Sequence, residues 1–262
     1  MSTQPTLPAY PAPRDLLRGR TVLVTAAAGT GIGFATAKRA LEEGARVFVS
    51  DIHERRLAEA VERLRTINPD QVDGKLCDVT READVQALVR AAIAAMGRVD
   101  VLVNNAGLGG SAAVTEMTDE QWLKVIDVSL TSVFRMTRAI LPHMYANQAG
   151  AIVNNASVLG WRAQALQSHY AAAKAGVMAF TRCAAVEAAA HGVRINAVAP
   201  SIAMHAFLNR VTSDELLTEL KSREAFGRTA ETWEIANVIV FLASDLASYM
   251  TGEIVSVSSQ RA

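Results

Sequence analysis

Ser157, Tyr170 and Lys174 carry functional groups whose types and spacing suit proton transfer at an oxygen. Tyr170 and Lys174 are four apart in the helical run Tyr-Ala-Ala-Ala-Lys-Ala-Gly-Val-Met, so both side chains leave the same face. A tyrosine with an ordinary pKa of about 10 is a poor base at neutral pH, but a neighbouring ammonium favours the phenolate. The pKa of Tyr170 is therefore expected to fall. Such a pair also arises by chance on a solvated helix. Ser157 changes the weighing, because it lies thirteen residues before Tyr170 and just after an apolar strand pattern at Ala151–Asn154. Strand ends on that face of a parallel sheet are where ligands bind. A hydroxyl there can hold a carbonyl oxygen while Tyr170 gives or takes the proton.

A second constellation suits a phosphate-bearing ligand. Thr25-Ala26-Ala27-Ala28-Gly29-Thr30-Gly31-Ile32-Gly33 follows an apolar strand pattern and opens a helical one, the context of a dinucleotide pyrophosphate site. Gly29, Gly31 and Gly33 let the backbone approach the phosphates, and the N–H groups of the helix start, at Ile32 and Gly33, complement their charge. An ordinary strand-to-helix turn would look similar in isolation. Asp51, eighteen residues after Gly33, ends the second strand pattern. A carboxylate there accepts hydrogen bonds from adenosine ribose hydroxyls and repels a 2′-phosphate, which favours NAD over NADP. Arg55 and Arg56 follow closely; they either soften that preference towards NADP or are solvated charges on a helix start. A cationic nicotinamide would join Lys174 in favouring the phenolate.

These residues need a scaffold that gathers strand ends. From Thr21 onward, short β-branched runs alternate with longer helical patterns, which predicts a single α/β domain. The expected architecture is Rossmann-like: a doubly wound, parallel, seven-stranded sheet with helices on both faces. Strands are predicted at Thr21–Thr25, Arg46–Ser50, Lys75–Cys77, Val99–Asn104, Ala151–Asn154, Arg194–Val198 and Glu253–Val257. Crossover helices are predicted at Glu54–Thr66 and Glu82–Met96. One long helix is expected from Asp119 to Leu141, with Trp122, Val125, Ile126, Leu130, Val133, Phe134, Ile140 and Leu141 as its apolar stripe. Ser201 to Arg228 loses the strand–helix rhythm and reads as a helical excursion placed to cover a substrate. Residues 1–18, with four prolines, read as an extended arm, leaving 19–262 as the domain.

Bulk properties narrow the function. Lys+Arg and Asp+Glu are both 26 in 262 residues, so no basic excess draws in nucleic acid or an anionic membrane. No apolar run reaches the length of a membrane span, and the proline-rich start lacks the apolar core of an export signal, so the cytoplasm is the expected compartment. Cys77 and Cys183 share no metal-like spacing, and no metal site is expected; they suit buried thiols in a reducing compartment.

With Asn104-Asn105-Ala106-Gly107 after the fourth strand, the glycine turn, Ser157, Tyr170 and Lys174 in this order resemble the short-chain dehydrogenase/reductase family over roughly Leu16 to Ser258. The resemblance implies a Rossmann-like fold, a nicotinamide cofactor, a homotetramer or homodimer, and Ser–Tyr–Lys chemistry. It further implies that Asn105, Ala106 and Gly107 line the cofactor, that Asp78 beside Val79 contacts the adenine, and that Pro200 and Ile202 touch the nicotinamide end. The chain departs from the family pattern in four places. Ala26 stands where glycine is usual. Ser129 replaces an asparagine that helps build a proton relay to the lysine; it either takes over that relay, through a water, or is a small residue chosen for packing. Pro200-Ser201-Ile202-Ala203-Met204-His205 replaces the usual Pro-Gly and downstream threonine, and His205 reads as a surface or pocket-wall residue. Val257-Ser258-Ser259-Gln260 stands where Asp-Gly-Gly is usual.

Ala26, Gly160-Trp161-Arg162-Ala163 and Pro200-Ser201-Ile202 are together similar to an actinobacterial branch acting on steroid-ring degradation intermediates, namely reductases or dehydrogenases of a hydroxy-methyl-oxo-indene carboxyl-CoA. Trp161 and Arg162 could meet a bulky ring and an acidic appendage, or Trp161 could close the subunit core. Three readings follow. The first is an NAD(H)-dependent enzyme interconverting a secondary alcohol and a ketone on a small molecule such as a CoA thioester. The second is a 3-oxoacyl-thioester reductase using NADPH, against which Asp51 speaks. The third is a catalytically silent nucleotide-binding scaffold, against which the intact Ser157, Tyr170 and Lys174 argue.

Overall fold

A computed structural model describes residues 7–204 and 214–260. Seven parallel strands among them form one sheet in the order β3-β2-β1-β4-β5-β6-β9. These are β1 (Thr21–Val24), β2 (Arg46–Asp51), β3 (Val72–Leu76), β4 (Val101–Asn104), β5 (Gly150–Asn155), β6 (Val193–Pro200) and β9 (Ile254–Val257). A two-residue pair, β7 (Ala203–Met204) and β8 (Ala230–Glu231), stands apart.

Period-two alternation explains why both faces are covered. Val22, Val24, Val47, Val49, Val101 and Val103 enter one apolar cluster, while Leu23, Phe48 and Leu102 enter the other. The first cluster is closed by α1 (Ile32–Glu42), α2 (Glu54–Arg65) and the helix Thr232–Ala243. The second is closed by α3 (Glu82–Met96), α5 (Ser132–Ala146) and α6 (Ser168–Ala189). Each fully buried side chain of this size contributes about 1.5–3 kcal/mol relative to exposure.

The sheet order reverses between β1 and β4, so the crevice beyond their carboxyl ends is a topological switch point. The glycine turn leaves β1 there. The expected β3 begins three residues early, at Val72, and stops before Cys77; as an edge strand half open to solvent, its Asp-Gly-Lys centre carries no apolar alternation. The predicted single helix from Asp119 is interrupted. α4 (Asp119–Ile126) and α5 are joined by a π turn at Asp127–Thr131, which adds a residue to the turn and rotates the stripe. Trp122 and Phe134, expected on the inward stripe, are consequently exposed.

The N-terminal arm is docked from Tyr10 onward, the Tyr10 hydroxyl bonding Glu42 and its ring meeting Trp233 edge-on. Arg39, buried and ion-paired with Glu43, donates to the carbonyls of Pro11 and Ala12, while Glu43 accepts from the N–H groups of Arg14 and Leu16. Among the described residues, no helix is long and apolar enough to cross a membrane. Cys77 is buried, as expected of it; Cys183 is exposed, because its position on α6 faces away from the sheet.

Candidate functional site

Parallel strands deliver their carboxyl ends to one edge, and the site assembles there. Thr25, one residue past β1, is buried, and its Oγ1 accepts from the N–H groups of Asn105 and Ala106 at 3.0 and 3.2 Å. Asn105 Nδ2 returns bonds to the carbonyls of Thr25 and Ala26 at 3.2 and 3.0 Å. The glycine turn and the segment after β4 are thereby locked together. Ala26 takes a left-handed conformation, φ 50°, which accounts for glycine being usual at this place.

Two kinds of glycine occupy the turn. A Cβ on Gly33 would sit 2.4 Å from Asn105 Nδ2 and 2.5 Å from the Ala26 carbonyl oxygen, so this residue is glycine for packing. A Cβ on Gly29 or Gly31 would meet nothing within 4 Å among the described residues. Gly31 caps α1 without any side-chain hydrogen bond, and no acidic residue lies in the first turn. The open cradle and the uncapped helix start fit a pyrophosphate.

Asp51 lies at the end of β2 and is buried. Its Oδ2 accepts from the Ala28 N–H at 3.2 Å and its Oδ1 from the His53 N–H at 3.0 Å, while Arg56 Nη2 approaches to 3.9 Å. Burial raises its pKa, against the lowering effect of the Ala28 N–H and of Arg56. Arg55 instead faces Glu59 on the α2 surface. Asp78, beyond β3, accepts from the N–H and hydroxyl of Thr80, and Val79 beside it is buried. After β6, Pro200 is buried, the Ser201 N–H donates to Val257, and the Ile202 carbonyl accepts from Ala230.

Ser157, Tyr170 and Lys174 come together at the end of β5 and the start of α6. The Ser157 hydroxyl lies close enough to the Tyr170 phenol to lower its pKa. Lys174 Nζ donates to the Asn155 carbonyl at 2.6 Å and lies 5.5 Å from the centre of the Tyr170 ring. The expected fall in the Tyr170 pKa is not what these groups produce. Burial pushes the phenol up to about 12, and the nearby Ser157 hydroxyl offsets only part of that rise. Lys174 is itself buried, and desolvation lowers it to about 8, so its ammonium is a weakened source of stabilisation.

Ser129 sits fully buried inside the π turn. Its Oγ donates to the Leu108 carbonyl and accepts from the Leu108 N–H, both at 2.9 Å. A Cβ on Gly107 would lie 3.4 Å from Lys174 Nζ and 3.9 Å from Ser129 Oγ, so the serine and the lysine meet across that glycine.

Trp161 is 51% exposed and does not close the core. Arg162 Nη1 donates to Gln260 Oε1 at 2.7 Å. His205 lies outside the described residues, as does residue range 205–213 of the expected excursion; the helix Asp214–Ser222 is its described helical part.

Three neighbours were not predicted. Asn155 supplies the carbonyl under Lys174 and also donates through Nδ2 to Asn105 Oδ1; an asparagine pair closing an apolar strand was its available signal. His169 is buried, and its Nε2 would stand 2.8 Å from a Cβ on Gly110; Gln167 Nε2 donates to the Gly110 carbonyl at 2.6 Å. These two hold the Gly109-Gly110 loop against α6, a long-range contact with no local signature.

A family model described as Enoyl-(Acyl carrier protein) reductase matches residues 26–259. The chain is 62% identical over 250 residues to the (5R,7aS)-5-hydroxy-7a-methyl-1-oxo-2,3,5,6,7,7a-hexahydro-1H-indene-carboxyl-CoA reductase of Mycobacterium tuberculosis, covering 95% of each chain. A short chain dehydrogenase from Mycobacterium smegmatis superposes with a TM-score of 0.88 at 56% identity, over 98% of this chain and 99% of that one. An actinorhodin polyketide ketoreductase solved with NADPH superposes with a TM-score of 0.87 at 34% identity, over 92% and 96%.

Proposed function

This chain belongs to the short-chain dehydrogenase/reductase family and is an oxidoreductase; from that premise we propose that it interconverts a secondary alcohol and a ketone on a ring-bearing CoA thioester, using NAD(H). The observation that carries the reading is the convergence of Ser157 and Tyr170 with a buried Lys174 at the end of β5, the ammonium 5.5 Å from the Tyr170 ring. The likeness to the indene-carboxyl-CoA reductase supports the substrate class, an intermediate of steroid-ring breakdown.

In this reading Ser157 Oγ donates to the ketone oxygen and fixes its direction. Tyr170 Oη delivers the proton to that oxygen during reduction and removes it during oxidation. Its high pKa keeps the phenol protonated at neutral pH, which suits the proton donor of a reductase. Lys174 supplies positive charge behind the phenol and a donor for the cofactor ribose. Ser129 pins Leu108 and so places Gly107 over Lys174, a positioning task; a relay would require its hydroxyl proton to leave Leu108. The dinucleotide, when bound, supplies or accepts the hydride. Thr25, Gly29, Gly31, Ile32 and Gly33 would hold its pyrophosphate and Asp51 its adenosine ribose. Asp78, Val79, Asn105, Ala106, Gly107, Pro200 and Ile202 would line the remainder.

Arg56 near Asp51 favours a second reading, a 3-oxoacyl-thioester reductase using NADPH, in keeping with the NADPH-bound ketoreductase relative. A cytoplasmic homotetramer or homodimer completes the proposal, supported by the exposed apolar surface of Trp122, Leu123 and Phe134. The test is fluorescence titration with NADH and NADPH, then a turnover screen of ketones and alcohols that includes CoA thioesters. Tighter NADH binding with turnover of a ring-bearing thioester is expected. Tighter NADPH binding with turnover of linear 3-oxoacyl thioesters would transfer the case to the second reading.

A further inference from the structure

The residues after β9 run between two segments that are distant in sequence. On one side, the N–H and hydroxyl of Ser259 both donate to Glu224 Oε2, at 3.2 and 2.8 Å. The Ala225 N–H donates back to the Ser259 carbonyl, and Gln260 forms an antiparallel bridge with Glu224. On the other side, Gln260 Oε1 accepts from Arg162 Nη1 at 2.7 Å. Arg162 belongs to the loop between Ser157 and Tyr170; Glu224 belongs to the segment that leaves β6 and returns at β8.

Glu224 is an unusual anchor. It is 3% exposed, and its Oε1 has no hydrogen-bond partner among the described residues. It borders a cavity of about 150 Å³ together with Ser201, Phe226, Arg228 and Ser258. Burying a carboxylate with one oxygen unsatisfied is costly, and an apolar residue would secure a terminal segment at less cost. What an apolar residue lacks is register: only an acceptor opposite both Ser259 donors holds Gln260 level with Arg162.

We propose that Glu224, Ser259, Gln260 and Arg162 form a latch through which the C-terminal segment couples the loop between Ser157 and Tyr170 to the segment between β6 and β8, making all four positioning residues for the reaction proposed above. The latch rests on that reading for its purpose, and on the hydrogen bonds alone for its existence. When one of these segments orders around a substrate, the tail transmits the order to the other.

Backbone hydrogen exchange on the full chain, with steady-state kinetics alongside, tests this. Gln260→Ala cuts the bond to Arg162, and about tenfold faster exchange is expected in residues 214–228 as well as in 160–167. Glu224→Ala is expected to loosen 160–167 in return, and Glu224→Gln, which keeps an acceptor for Ser259, to restore protection. Ser259→Ala stands in should Glu224→Ala fail to fold. In an enzyme that turns over, Gln260→Ala should raise KM about tenfold while kcat stays within about threefold. Loosening confined to the mutated side, or a KM unchanged in Gln260→Ala, overturns the latch. The exchange arm needs no turnover, so failure to reduce any ketone would count against the proposed function and not against the latch.

Discussion

Lys174 Nζ donates to the carbonyl oxygen of Asn155 at 2.6 Å, two residues before Ser157 on the same chain segment. One strand end therefore fixes both the serine that faces the phenol and the ammonium behind it. Burial acts on the two titrating partners in opposite directions, with Lys174 brought down to about 8 and Tyr170 pushed up to about 12.

Stability should carry the mark of that lysine. Its folded pKa lies below the unfolded value of 10.5, so between about 8 and 10.5 the unfolded chain binds more protons and stability rises with pH. Tyr170 acts oppositely at higher pH: its folded value exceeds 10.0, so the stability it contributes is lost between 10.0 and about 12. Urea midpoints measured from about pH 7 to 10 should rise less in Lys174→Met than in the parent. Parallel curves would remove the burial argument.

The two kinds of glycine in the turn should separate in experiment. Gly33→Ala forces a Cβ against Asn105 and the Ala26 carbonyl, and a loss of about 2 kcal/mol or more in stability is expected. Gly31→Ala adds a methyl where nothing among the described residues lies within 4 Å, so stability should hold while NADH affinity falls at least about tenfold. Thermal melts and NADH titrations on both variants read the difference, and a Gly31→Ala protein with normal affinity would remove the pyrophosphate from this cradle.

Under the NAD(H) proposal, Asp51 sets the cofactor preference. Asp51→Ser removes the charge that opposes a 2′-phosphate and leaves Arg56 in place. The ratio of NADPH to NADH affinity should rise on the order of tenfold or more, about 1.4 kcal/mol. An unchanged ratio would mean that the adenosine ribose is held elsewhere.

Much of this was legible in the sequence because it is local. α3 begins and ends where its pattern does, with Gly97 in a positive-φ cap after Met96. The strands β1, β2 and β5 are short, largely apolar runs buried on both faces that end on Val24, Asp51 and Asn155, so Thr25, Asp51 and Ser157 are found by counting from them. What escaped depends on distant partners or on geometry without a pattern. The π turn shifts Ser129 by one residue that no periodicity announces, and the β7–β8 pair is too short to alternate. The Glu224–Ser259 pair spans 35 residues. The rise of the Tyr170 pKa has a related reason: the spacing to Lys174 is readable, but the desolvation that raises the phenol and lowers the ammonium is not.

The most direct measurement compares NADH-dependent reduction of a ring-bearing ketone thioester by the parent protein and by Tyr170→Phe, with NADH affinity measured on both. A loss of turnover of about 10²-fold or more is expected, with NADH affinity within about twofold of the parent. Turnover unchanged in Tyr170→Phe would contradict the role of Tyr170 as proton donor.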